Sequence, residues 1–392
     1  MTASRRRVVM APDSFKGTID ATAAAAALAA GWRSARPDDD IVTVPMADGG
    51  EGTLEAFAAS VPGARRMPVT VRGPAGAEVA ASWLLLAADA EHPATGVVEL
   101  ANTSGIELLR GRLRPLDADS TGFGQAIHAA LEHGVGRLVL AIGGSASSDG
   151  GAGALRALGA RLVDADGDPV APGARGLESL ARLDLSELRP PPRDGVVVLS
   201  DVDSPLLGSR GAARVFAPQK GASAAEVERI ERALTRWGQL LGGSPDLPGA
   251  GAAGGVGYGL LAWGARIVPG AETIADLVGL PAAVRGAAFV VTGEGSFDGQ
   301  SARGKAPSVV IDAARDGGVP VAVVAGRVLV HPPGVTTLSL TDLAGDPQRA
   351  MADPARWLRE AGRRLSGSFD AFGDGLGEVQ SREESVDTSR DA

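Results

Sequence analysis

Asp201 and Asp203 stand two residues apart beyond the apolar run Val196–Leu199, in the segment Ser200-Asp201-Val202-Asp203-Ser204-Pro205. On an extended strand, side chains at i and i+2 share a face, so these carboxylates can hold magnesium or divide into a base and a metal ligand. A strand-end aspartate can also serve as the nucleophile of a phosphoaspartyl phosphatase, and such pairs are often structural. The cations are more selective. Only three lysines occur beside thirty-five arginines, and each adjoins a glycine: Ser14-Phe15-Lys16-Gly17, Pro218-Gln219-Lys220-Gly221 and Arg303-Gly304-Lys305-Ala306. A compact ammonium beside closely approaching backbone suits a phosphate or carboxylate that a wide guanidinium does not fit. The alternative is a set of ordinary surface lysines.

Other segments carry the same chemistry. Ala11-Pro12-Asp13-Ser14-Phe15-Lys16-Gly17 leaves a strand and enters a helix, where an open α/β sheet places anions and substrates. There Lys16 meets a phosphate or carboxylate and Asp13 and Ser14 bond a hydroxyl, unless the segment is a plain capping turn. Asp48-Gly49-Gly50-Glu51-Gly52 is dense in glycine, so Asp48 and Glu51 could position a hydroxyl or hydrated magnesium. Gly143-Gly144-Ser145-Ala146-Ser147-Ser148-Asp149-Gly150-Gly151 links a strand to a helix as a cradle of backbone donors. Gly208-Ser209-Arg210-Gly211 adds the Arg210 cation. Gly249 to Gly254 has dinucleotide-like glycine spacing but no preceding strand, which favours close packing or a hinge. Gly293-Glu294-Gly295 opens a long turn ending in Gly304-Lys305. The turn has P-loop spacing from Gly299, but Ala306 stands where Ser or Thr is required. Lys305 is therefore read as a phosphate lysine at a helix start.

Composition narrows the classes. The chain has no cysteine and four histidines without metal-ligand spacing, which leaves carboxylates and favours magnesium over zinc. Of the net charge of −9, −5 belongs to residues 366–392, and the arginines are dispersed, so no nucleic-acid face is expected. No apolar run is long enough for a membrane span or signal core. The expectation is a soluble cytoplasmic protein, monomer or homodimer.

Positioning these groups requires a parallel α/β frame. Arg7–Ala11, Ile41–Pro45, Arg137–Ile142, Ala288–Thr292, Val319–Ala325 and Thr336–Leu340 read as buried strands. Helices are expected over Asp20–Ala35, Thr121–His133, Pro307–Arg315 and Pro354–Leu365, the last stopped by Gly367. The predicted fold is a Rossmann- or flavodoxin-like doubly wound parallel sheet domain (1–65, 118–150 and 285–365) with a second α/β domain (66–117 and 151–284) inserted into it. Residues 366–392 read as a disordered tail.

Taken together, the blocks from Ala11 to Gly17, Ala47 to Gly52, Gly143 to Ser145, Asp201 to Pro205, Pro218 to Gly221 and Gly293 to Gly295 resemble the bacterial glycerate kinase family that includes the glycerate 2-kinases. The likeness spans about residues 7–365; Ser204 and Ser147-Ser148 depart from the usual Asn and Thr-Asn. The resemblance implies phosphoryl transfer from ATP to D-glycerate with Mg2+. On that reading Asp201 accepts the hydroxyl proton and Asp203 helps hold magnesium. Lys16 and Lys220 face the transferred phosphate or the substrate carboxylate, beside Asp13, Ser14, Asp48 and Arg210. Gly143, Gly144, Ser145, Glu294 and Lys305 hold ATP. The competing readings are the phosphatase on Asp201 and Asp203, and a non-catalytic nucleotide-binding module.

Overall fold

The run Arg7-Val8-Val9-Met10-Ala11-Pro12 forms the first strand, β1 (Arg7–Pro12), of the computed structural model, which describes residues 6–88, 93–299 and 305–369. The chain divides into two units: Met1–Met46 with Val278–Ala392, and the uninterrupted segment Ala47–Leu277. Unit 1 contributes β1 and β2 (Asp40–Thr43). Unit 2 follows with β3 (Arg65–Arg72), β4 (Glu78–Leu86), β5 (Thr95–Glu99), β6 (Arg137–Ala141), β7 (Arg161–Val163), β8 (Arg182–Asp184), β9 (Val196–Leu199) and β10 (Arg266–Val268). Unit 1 resumes with β11 (Phe289–Phe297), β12 (Val321–Val328) and β13 (Thr336–Ser339).

Unit 1 is a parallel sheet in the order β13-β12-β11-β1-β2. Counted within the unit this is the flavodoxin-like order 2-1-3-4-5, whose switch point lies between β1 and β11. Both faces are covered, which explains the continuous apolar runs. Val8, Met10, Phe289, Val291, Ala322 and Val324 pack against Leu28, Trp32, Leu358 and Leu365 on one face. Helix Ala306–Asp316 contacts β1, β11 and β12 from the other. Asp20 caps helix Ala21–Ala35 by accepting from Ala23 N–H, as an N-terminal aspartate should.

The expected stop at Gly367 does not occur. The last helix runs over 354–369 and buries Phe369, whose ring lies 5.5 Å from those of Trp32 and Phe289, with the Arg6 and Arg36 guanidiniums 5.0 and 5.1 Å from its centroid. Burial of that aromatic outweighs the helix cost of one glycine, roughly 1 kcal/mol. The expected tail therefore loses its first four residues to the fold, and its remainder, 370–392, lies outside the described residues. β11 also outruns expectation, because pairing with β12 carries the strand through Gly293, Glu294 and Ser296 to Phe297. The P-loop-like residues 300–304 lie outside the described residues.

Unit 2 is built on a six-stranded sheet, β10-β9-β6-β5-β4-β3, parallel except for β4, which pairs antiparallel with both β5 and β3. Phe123, Ile127 and Ala130 of helix Thr121–Glu132 pack into the core with Val98, Leu138 and Val198. The sequence expectation assigned residues 47–65 and 118–150 to the first domain. β6 instead pairs on both sides within unit 2, Val97 and Val197 flanking Val139 in register, and helix Thr53–Ser60 packs on β4 and β5. A buried parallel strand reads the same in either sheet, and periodicity carries no information about its neighbours. Among the described residues, no helix is long and apolar enough to cross a membrane.

Asp149 ties unit 2 together from the inside. Its carboxylate, fully buried, accepts from Ser120 N–H and Oγ at 2.9 and 2.8 Å, Gly153 N–H at 3.1 Å and Gly151 N–H at 3.2 Å. Replacement by alanine strands those donors in a dry interior. Asp149→Ala is expected to cost about 3 kcal/mol or more, read as a lowered midpoint in urea; an unchanged midpoint would show that the donors find other partners.

Candidate functional site

Four parallel strands of unit 2 end side by side, and the predicted polar groups of this unit gather at those carboxyl ends, where an open α/β sheet places its ligands. Gly49 O accepts from Gly143 N–H at 3.0 Å, which brings the Asp48 loop over the end of β6. A Cβ on Gly49 would lie 2.7 Å from Leu199 O, and one on Gly270 would lie 2.2 Å from Asp48 O. Both positions therefore need glycine for close backbone approach, and together they set Asp48 beside the ends of β9 and β10.

Asp201 and Asp203 lie just past β9 in irregular backbone rather than on the strand. The expected same-face alternation therefore does not apply to them. A backbone donor orients Asp201 instead: its Oδ1 accepts from Gly270 N–H at 2.7 Å, at the start of helix Gly270–Leu277. The residue is exposed at its surface, like Asp203, yet partial loss of hydration at the carboxyl pushes it up to about 6, the negative charges of Asp48 and Glu272 adding to the rise, while the Gly270 and Ala271 N–H groups oppose it. A carboxylate so poised can take a proton near neutrality. Asp203 and Arg210 are exposed nearby in the chain.

The 143–153 segment divides into an inner and an outer part. Ser147, Ser148 and Asp149 are fully buried, and much of the donor set of the expected cradle is used internally, including Ala146 N–H to Ser104 O and Gly150 N–H to Gly254 O, both 3.1 Å. Gly143 is half-buried and Gly144 exposed, so the outward-facing part is this turn. Lys220, expected to meet substrate, is inside the unit at 4% exposure. The glycine-rich stretch near Gly254 is close-packed helix with a left-handed kink at Ala253–Gly255, in line with the packing reading.

In unit 1, the ends of β1 and β11 adjoin at the switch point, Asp13 N–H donating to Gly293 O at 2.8 Å. Phe15 is buried, bridges to Ile19 and leaves Lys16 exposed at the loop tip. Ser14 N–H bonds the Asp13 carboxylate at 2.6 Å. Glu294 is buried on β11, and Lys305 is the N-cap residue of helix Ala306–Asp316. The structure thus groups Asp13, Ser14, Lys16 and Glu294 at the β1 and β11 ends, and Asp48, Asp201 and the Gly143 turn in unit 2.

Glu99 was missed by the sequence reading. It ends β5, is 3% exposed, and its Oε2 accepts from Leu54 N–H at 3.1 Å, at the start of helix Thr53–Ser60. Burial pushes it up to about 8, helped by the charges of Glu55 and Glu51 and opposed by the Leu54 and Thr53 backbone. The detectable signal was a lone acid inside the apolar run Val97-Val98-Glu99-Leu100-Ala101. With its folded pKa above its unfolded one, its stabilisation is complete below the unfolded carboxylate range and is lost as pH rises through the folded value. Glu99→Gln should flatten the loss of stability between about pH 5 and about pH 9 in urea titrations; an equally steep loss in the variant would assign it to another group.

Residues 8–369 match the model of the Glycerate kinase family. The chain is 40% identical over 342 residues to the glycerate 2-kinase of Escherichia coli (strain K12), covering 84% of this chain and 88% of that protein. It is 40% identical over 329 residues to a glycerate kinase of Halalkalibacterium halodurans, covering 82% and 85% of the two. A crystal structure of a protein provisionally named glycerate kinase 2 from Salmonella typhimurium LT2 aligns with a TM-score of 0.79 at 37% identity, over 94% of this chain and 100% of that one.

Proposed function

The chain belongs to the glycerate kinase family and is a kinase, and from that premise we propose that it transfers the γ-phosphoryl group of ATP to a hydroxyl of D-glycerate, giving 2-phosphoglycerate and ADP. The reaction needs an oriented acceptor hydroxyl and neutralisation of charge on the phosphoryl oxygens. Asp201 takes the hydroxyl proton as the oxygen bonds to phosphorus and the bond from phosphorus to the ADP oxygen breaks. Asp48 keeps that base from being too weak, since its charge favours the protonated form. Lys16 supplies positive charge for the transferred group, and Asp13 and Ser14 offer hydrogen bonds to substrate. The Gly143–Gly144 turn and Lys305 serve the nucleotide phosphates.

Magnesium fits this set of residues as a partner of the nucleotide. Such ions take one or two protein carboxylates and fill the rest of their shell with waters and substrate phosphates. Among the described residues, no group of three or more His, Cys, Asp or Glu side chains could hold a metal, whereas Asp203 and Asp48 offer hard oxygen donors. Asp203 would hold the ion, which when bound neutralises charge on the β- and γ-phosphates.

The observation that carries the chemical assignment is the Asp201 carboxyl, held by Gly270 N–H and raised toward neutrality. The test is an ADP-coupled assay with ATP and D-glycerate, with the product identified by phosphorus NMR. Glycerate-dependent ADP and a 2-phosphoglycerate signal are expected. Phosphate release without ATP would instead support the phosphatase reading, and nucleotide binding without turnover the non-catalytic one.

A further inference from the structure

Lys220 presents a physical problem that a substrate ligand would not. Its ammonium is within unit 2, donating to Ser147 O and, at 3.4 Å, to Ser145 Oγ. Both partners are neutral. Among the described residues, the charge acting on it is that of Asp149, whose carboxylate is already engaged by Ser120, Gly151 and Gly153. Burial pushes the amine down to about 7. An apolar side chain of similar volume would serve stability at least as well as an ammonium without a direct counter-ion.

The surrounding geometry shows what the ammonium does. Ser145 Oγ also donates to Ala253 O at 3.1 Å and accepts from Ser147 N–H at 3.2 Å. Ala253, Gly254 and Gly255 have φ of 54, 71 and 87°, a left-handed run that brings the chain against the lysine. A Cβ on Gly254 would lie 2.1 Å from Ser147 O and 2.9 Å from Lys220 Nζ, so the kink is shaped around this contact. The tie begins at Ser145, the residue immediately after the outward-facing Gly143–Gly144 turn.

We infer that Lys220 is a positioning residue for that turn: from inside unit 2 it fixes Ser145 and Ser147, and through them the direction in which the exposed Gly144 backbone meets a nucleotide phosphate. It does not touch substrate. The inference rests on the proposed kinase reading, in which this turn serves ATP.

Two measurements test it. Lys220→Met should raise the KM for ATP by roughly tenfold or more while leaving the KM for D-glycerate near its wild-type value, and Lys220→Arg should not restore it, because the fork does not fit the dry tie. A raised KM for glycerate with that for ATP unchanged would make Lys220 a substrate ligand and overturn the inference. Unchanged values for both would reduce it to a packing residue, with the same consequence. If the variants do not fold, wild-type protein labelled with ¹³C-lysine has only three lysine Cε signals to resolve, and Lys16→Met and Lys305→Met assign the third by elimination. ATP alone should shift the Lys220 signal and D-glycerate alone should not; no shift with ATP overturns the inference. A nucleotide-induced shift in a protein that makes no ADP with glycerate would count against the functional reading and leave the positioning role standing.

Discussion

Asp201→Asn is expected to lower kcat by about 10²–10⁴, the usual contribution of a positioned general base, with no comparable loss of folding stability. The replacement is nearly isosteric and keeps an oxygen to accept from Gly270 N–H, so the bond of 2.7 Å that orients the side chain survives. What disappears is the capacity to take the hydroxyl proton. The pH profile supplies a second readout. Because the carboxyl is raised to about 6, wild-type kcat/KM should climb with pH through that value as the base ionises, and the variant should lack this limb. Retention of most of kcat, or an unchanged acidic limb, would remove Asp201 from the base role and move attention to Asp48.

The parts of the fold that were legible in the sequence are those that depend on neighbours along the chain. Val8 to Ala11 and Val196 to Leu199 are β-branched or apolar runs cut off by Pro, Ser or Asp, and both are strands. Asp20 announces its helix because a cap is a local hydrogen bond. Which sheet a strand joins is set by pairing across the fold, so β6 was assigned to the wrong unit although its limits were nearly right. Lys220 shows the same limit at the site. Its glycine neighbour looks like those of Lys16 and Lys305, yet the folded chain buries it, since burial depends on Ser145, Ser147 and Gly254 arriving from distant segments. Glu99 was missed for a related reason: nothing beside it in the chain shows that an acid ending an apolar strand is enclosed, and the helix start from residue 53 onward that encloses it is distant in sequence. The end of Phe369 in the core was obscured by Gly367, a stop signal that tertiary packing overrides.

Lys16→Met is expected to reduce turnover by roughly 10²–10³, the scale for losing one group that stabilises transition-state charge, while stability changes by less than about 0.5 kcal/mol, as for exposed positions in general. The loop does not depend on the ammonium for its shape. Phe15 is buried at its base, Phe15 N–H bonds Ile19 O at 2.9 Å, and Thr18 Oγ1 donates to Phe15 O at 2.6 Å. Lys16 is exposed at the tip, so removing its charge alters chemistry rather than packing. Lys16→Arg separates charge from shape: if a compact cation is what the phosphoryl oxygens require, arginine recovers only part of the loss. Measured turnover near the wild-type value in Lys16→Met, with the urea midpoint unchanged, would mean that the exposed lysine of the β1 loop takes no part in phosphoryl transfer, and the charge on the transferred group would have to be met by magnesium and the remaining cations.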